Sequence, residues 1–186
     1  MYTSRPHDIF WGGVLFPMRG TLTKTFKHPI TNVCVAGTGA GSGFVLTRVH
    51  VGYRRANAGN SRDKDCDELD NCALLISRFL DGEKRDLSRI PISLEGFTHF
   101  RKRVTHAARR IPWGTTVSYA RLAAMAGCPR AVRPAAMVMR NNPFPLVVPC
   151  HRVIRSDGTI GGFGGKTSGR QVALKRKLLR AEGIAV

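Results

Sequence analysis

One thiol stands out for its neighbours. Cys150 lies in Pro149-Cys150-His151-Arg152-Val153, with an imidazole and a guanidinium directly after it and the apolar run Leu146-Val147-Val148 before it. A thiol in such company is a candidate low-pKa nucleophile, and Leu146 to Val148 reads as a strand that would hold it rigidly. Cys150 and His151 are poorly placed to bond each other, because adjacent side chains diverge by about half a turn on a strand and about 100° on a helix. Chemistry between them calls for a bridging water and a carboxylate behind the imidazole. From residue 92 onward the only acids are Glu95, Asp157 and Glu182, which leaves Asp157 and Glu182 as candidates for that carboxylate.

The half that carries the thiol is also the basic half. Of the net +18, residues 1–91 hold 13 Lys/Arg against 9 Asp/Glu, whereas residues 92–186 hold 17 against 3. A field of one sign concentrated in this way attracts polyanions, nucleic acid first among them. No apolar run approaches the roughly 20 residues that a membrane span needs, and there is no N-terminal signal pattern, so an intracellular, cytoplasmic protein without membrane partners is expected. Five cysteines, Cys34, Cys66, Cys72, Cys128 and Cys150, make an odd count. Reduced thiols are the default, with Cys66–Cys72 as the pair a hyperthermophile could bridge. A zinc site could draw on Cys34, Cys66, Cys72 or His28, but their spacing argues for none, and no metal or cofactor is expected.

The elements that must position Cys150 follow from periodicity and punctuation. Residues 1–91 read as strands and loops and then one helix over Leu69 to Leu80, stopped by Asp81-Gly82. Gly37 to Gly43 resembles a phosphate loop only superficially: the β-rich Phe44 to Val51 follows it where a helix would have to open, so a hairpin is expected. Residues 83–95 form the connection, with the domain boundary placed after residue 91. A helix is predicted over Gly96 to Arg110, with Phe97, Phe100, Val104 and Ala108 facing the core. Ser118 as N-cap and Gly127 as C-terminal stop bracket a short helix, and a second runs from Pro129 to Arg140. Two short helices joined by a tight turn make a helix-turn-helix candidate. On the second, Arg130, Arg133 and Arg140 could meet phosphates, while Ala131, Ala135 and Ala136 either permit close approach to a nucleic-acid backbone or simply pack against the neighbouring helix.

This order of helix-turn-helix, then Asn142-Pro143-Phe144-Pro145, then Pro149 to Val153, resembles the O6-alkylguanine-DNA alkyltransferase family over about Phe97 to Gly183. The resemblance implies an α+β chain: a small RNase H-like α/β domain of supporting role over residues 1–91, then a mainly helical winged helix-turn-helix domain over residues 92–186 that holds the reactive cysteine. It implies Cys150 as alkyl acceptor, His151 as its water-linked partner, Glu182 behind it, Asn142 as a hinge and Tyr119 as a contact to the flipped guanine. Val153, Met139, Phe163 and Gly164 would form the substrate pocket. Arg133 would fill the gap left in the base stack, with Arg130, Ala131, Ala135, Arg140 and Arg152 as further DNA contacts. The partner implied is double-stranded DNA containing alkylated guanine, met by a monomer.

The implied reaction suits the residues. Displacement at a carbon bonded to guanine oxygen needs a soft nucleophile, Tyr119 can stabilise the leaving base, and the target must leave the duplex to be reached. A thioether product resists hydrolysis, so each molecule acts once; activity on O4-methylthymine is a further expectation. A lesion-binding protein without transfer and a turning-over cysteine hydrolase are the competing readings, and Cys150 and the Cys-His adjacency respectively disfavour them. Two departures from the family pattern stand out. Pro134 follows Arg133 and predicts a bend or a helix start there, and Lys166 to Arg170 forms a longer approach to the final helix, either a lid or phosphate contact or a solvated loop.

Overall fold

The computed structural model describes residues 21–40, 43–52 and 67–186. Cys66 lies outside them, and with it the Cys66–Cys72 bridge and any zinc set that uses Cys66. The architecture is mixed α+β. Strands β1 (Thr21–Phe26), β2 (Val33–Ala40) and β3 (Gly43–Val51) form an antiparallel sheet in the order β1-β2-β3. The expected hairpin joins β2 to β3, with Ala40 opposite Gly43 and a register shift at Ala36/Gly37. Helix α1 (Asp67–Leu80) lays Leu69, Cys72, Ile76 and Phe79 into the core, and Gly82, at φ +86°, ends it in the left-handed conformation that glycine tolerates.

The connection does not leave the first half detached. Leu46 N donates to Pro91 O (2.9 Å) and Ser93 N to Leu46 O (2.8 Å), so residues 91–93 lie along β3. One apolar cluster runs from Val33 through Val104 and Leu122 to Leu178. Helix α2 (His99–Arg109) starts three residues later than predicted, because Gly96 turns at φ +71° and Thr98 supplies the cap, its Oγ1 accepting from Arg101 N.

Strand β4 (Val117–Ser118) and helix α3 (Tyr119–Met125) follow, with Ser118 Oγ capping Arg121 N at 3.1 Å. Gly127, at φ +69°, makes the tight turn toward α4 (Val132–Arg140). That helix begins later than the predicted Pro129. Ala131 is its N-cap and Pro134 occupies the third helical position, where the backbone N–H would have no intrahelical partner in any case. The helix start expected near Arg133 is therefore observed, and the proline does not break the helix. Pro134→Ala is accordingly expected to change the unfolding free energy by less than about 1 kcal/mol, against about 3 kcal/mol for a proline in a helix interior. A urea titration decides between the two.

Strand β5 (Val153–Ile154) pairs in parallel with β4, Val117 opposite Val153, and so ties the segment after Cys150 to the entrance of α3. Helix α5 (Arg170–Ala181) closes the fold with Leu174, Lys175, Leu178 and Leu179 facing inward. Among the described residues, no helix is long and apolar enough to cross a membrane.

Candidate active site

Cys150 opens a single 3-10 turn, Cys150–Arg152, that follows a turn rather than the strand expected over Leu146 to Val148. Prolines at 143, 145 and 149 remove sheet donors on both sides of the run. Leu146 adopts φ +75°, a conformation that costs a non-glycine residue roughly 1–3 kcal/mol and persists only where surroundings enforce it. Here the enforcement is burial of Leu146, Val147 and Val148. Val148 N closes the turn on Phe144 O at 2.8 Å. The first half of the chain holds the same segment from outside, since Val49 N on β3 donates to Pro143 O at 2.9 Å.

Asn142 spans this turn. Its Nδ2 donates to Val148 O (2.8 Å) and to Cys150 Sγ (3.2 Å), while its Oδ1 accepts from Phe144 N (3.0 Å). The amide thus fixes the sulfur relative to the end of α4.

Behind the sulfur, His151 is fully buried and its Nε2 lies 2.6 Å from Glu182 Oε1. Glu182, rather than Asp157, is the carboxylate: Asp157 is exposed and bonds Thr159. An ionised Glu182 makes Nε2 the donor and leaves Nδ1 with its lone pair; Nδ1 is buried and has no hydrogen-bonding partner among the described residues. Glu182 also accepts from Arg152 Nε at 2.9 and 3.1 Å and from Gly114 N at 3.1 Å. Phe79 of α1 meets the His151 ring edge-on, with centroids 6.0 Å apart.

Arg152 is therefore not a surface contact for DNA, as the resemblance implied. It is 7% exposed, anchored on Glu182 and on Ile111 O at 2.6 Å. Ala135 is likewise fully buried, and packs as core rather than facing a nucleic acid. Arg130, Arg133 and Arg140 are exposed, and Ala131 is half-buried at the head of α4.

Burial pushes the Cys150 thiol above its ordinary value, against the lowering effects of the Asn142 hydrogen bond and the Lys175 charge. The sequence expectation of a low-pKa thiolate is corrected accordingly: the resting group is a thiol whose proton must be withdrawn on demand. His151 is pushed down by burial, against the hydrogen bond and charge of Glu182, and rests as a neutral imidazole able to accept that proton. Burial tends to raise the Glu182 carboxyl, but the hydrogen bonds and charges of His151 and Arg152 outweigh it and hold the carboxyl below its usual range.

Cys150, 8% exposed, lies at a cleft of about 260 Å³ whose lining also includes Tyr119, Met139, Arg140, Phe163 and Gly164. These expected residues come together. Val153 does not line the cleft: it is fully buried, and its carbonyl accepts from Lys175 Nζ at 2.6 Å. Phe163 and Lys166 exchange backbone hydrogen bonds at 2.9 and 3.0 Å, so Lys166 belongs to a two-residue hairpin on the cleft wall.

Lys175 escaped the sequence reading. It is fully buried, and its Nζ also reaches Gly162 O at 3.3 Å, joining the segment after Cys150 to the cleft wall. Burial lowers its pKa to about 8, against the opposing pull of Cys150. A signal for it was present, since Leu174, Leu178 and Leu179 define an apolar face of α5 that includes position 175.

Residues 99–184 match the family described as 6-O-methylguanine DNA methyltransferase, DNA binding domain. The chain is 43% identical over 111 residues to a methylated-DNA–protein-cysteine methyltransferase of Methanothermobacter thermautotrophicus, covering 60% of this chain and 59% of that protein's length. It is 34% identical to the constitutive methylated-DNA–protein-cysteine methyltransferase of Bacillus subtilis, covering 68% of this chain and 73% of that protein. Among solved structures it resembles Mycobacterium tuberculosis OGT in complex with DNA, with a TM-score of 0.66 at 30% identity over 87% of this chain and 92% of that one. The match to the Bacillus subtilis protein extends over more than two thirds of both chains, and the chain belongs to the methylated-DNA–protein-cysteine methyltransferase family.

Proposed function

We propose that the protein repairs DNA by moving a methyl or other alkyl group from the O6 oxygen of an extruded guanine to Cys150 Sγ, once per molecule. The observation that carries this reading is the buried His151–Glu182 pair set behind a cysteine that opens into a cleft beside α4. His151 Nδ1 takes the thiol proton through a bridging water while Glu182 stabilises the imidazolium that forms. The sulfur then bonds the alkyl carbon as the carbon–O6 bond breaks; the electron pair departs with guanine, which takes a proton from the Tyr119 hydroxyl, and the proton held by His151 makes up that loss. Water does not cleave the new S–C bond, so the thiol is not regenerated and turnover ends there.

Tyr119 supports the leaving base. Burial, and secondly the neighbouring Cys150, raise its hydroxyl pKa against the effect of Arg155, so it remains a neutral donor at the cleft. Tyr119→Phe is expected to slow transfer about tenfold in a single-turnover assay, the low end of what one hydrogen bond to a charged group contributes. A rate within twofold of the parent would remove Tyr119 from this role.

Arg133, with Arg130 and Arg140, is assigned to duplex contacts by its exposure on or beside α4. The described strands and α1 are compatible with an RNase H-like supporting domain before residue 92, and α3, α4 and the β4–β5 pair with a winged helix-turn-helix after it. A monomer acting on double-stranded DNA with alkylated guanine completes the reading. Incubation with a duplex containing O6-methylguanine, followed by intact mass and peptide mapping, tests it. One methyl on Cys150 is expected; tight binding without modification, or product beyond one equivalent, contradicts it.

A further inference from the structure

Helix α4 buries Ala135 and Met139, while Arg133, Pro134 and Met137 face solvent. Met137 is 50% exposed, and Leu74 on α1 is the only other large apolar side chain left so open among the described residues. Residues four apart stack on one helix face, so Arg133 and Met137 form a row. Met137 is the member of that row at the cleft, where it joins Ala136, Met139 and Arg140 around the approach to Cys150.

The remaining rim chemistry narrows what Met137 can meet. Arg140, Arg155 and Lys166 also line the cleft, and their charges suit phosphates. The alkyl group must travel inward to Cys150, and the base edge goes with it. Between base and phosphate lies the deoxyribose, whose C–H surface is the apolar part of a nucleotide left near the rim. An exposed thioether gains by covering such a surface, and its unbranched chain can swing aside for entry and then reclose.

From this we infer that Met137 packs on the deoxyribose of the extruded nucleotide and closes the cleft behind it. This contact rests on the alkyl-transfer reading and adds to it a residue that distinguishes a nucleotide substrate from a free base. Every nucleotide offers the same sugar, so the contact holds the extruded state without reading sequence.

The test compares single-turnover methylation of Cys150 by an O6-methylguanine duplex and by the free base O6-methylguanine, each followed by intact mass. In Met137→Ala the ratio of duplex rate to free-base rate is expected to fall about tenfold, the effect of losing roughly half of a buried apolar side chain. Met137→Leu, similar in volume, is expected to restore it. An unchanged ratio in Met137→Ala, or a ratio that Met137→Leu leaves low, overturns the inference while leaving transfer itself intact. Failure of the parent protein to become methylated by either substrate overturns both readings.

Discussion

Glu182→Gln is expected to slow methyl transfer at least about a hundredfold and to lower the unfolding free energy by about 3 kcal/mol, because one carboxylate serves two purposes. Toward the cleft, it holds His151 Nε2 at 2.6 Å and so leaves Nδ1 its lone pair for the proposed proton transfer. Toward the core, it is the only acid paired with the buried Arg152 guanidinium among the described residues. An amide retains one acceptor oxygen but loses the charge, leaving Arg152 uncompensated where only 7% of its surface meets water. Removing one partner of a buried pair typically costs about 3–5 kcal/mol, and the remaining acceptor moderates that figure here. The pH dependence of stability has the same origin. The folded Glu182 pKa lies below its unfolded value, so its contribution is present above the unfolded pKa and is lost as pH falls through the folded one. Glu182→Gln should flatten the acid limb of the stability curve. Denaturant titrations at several pH values and single-turnover kinetics check both effects; transfer within threefold of the parent would remove Glu182 from the relay.

What could be read from residues alone was whatever depends on local signals or on scarcity. Ser118 and Gly127 bracket α3 because a hydroxyl cap and a left-handed glycine act within a few residues. Glu182 could be narrowed to one of two because acids are so rare after residue 92, and geometry then separated it from Asp157. The failures share a different cause. Leu146 to Val148 has strand composition, but the flanking prolines and burial from all sides make it a turn. Arg152 looks like a DNA contact beside His151, yet the 3-10 turn places His151 and Arg152 against the same carboxylate. Ala135 could have faced DNA or core, and only the packing of α4 decides. The support that the first half gives to the site, through Val49 to Pro143 and Phe79 to His151, is tertiary contact across long sequence separations. No local pattern announces it.

Lys175 is the case where a missed residue carries a large expected effect. Its Nζ joins the carbonyls of Val153 and Gly162, and its charge opposes the burial that holds the Cys150 thiol protonated. A unit charge several ångströms away at an effective dielectric near 20 contributes about 2 kcal/mol, so Lys175→Met is expected to slow transfer at pH 7 about thirtyfold. A merely structural role would not change the shape of the pH profile. In the parent, the rate should rise as the thiol loses its proton and then flatten above pH 8, where Lys175 loses its charge. In Lys175→Met that break should be absent. Stability offers an independent sign. Because the folded Lys175 pKa is about 8 and the unfolded value 10.5, the unfolded chain binds more protons between those limits, and the burial penalty on the folded cation is relieved as pH rises through them. The difference in unfolding free energy, parent minus Lys175→Met, should therefore move in the parent's favour from pH 8 to 10.5. A flat difference, together with an unaltered break in the rate profile, would show that Lys175 neither rests as a buried cation nor supports the thiolate.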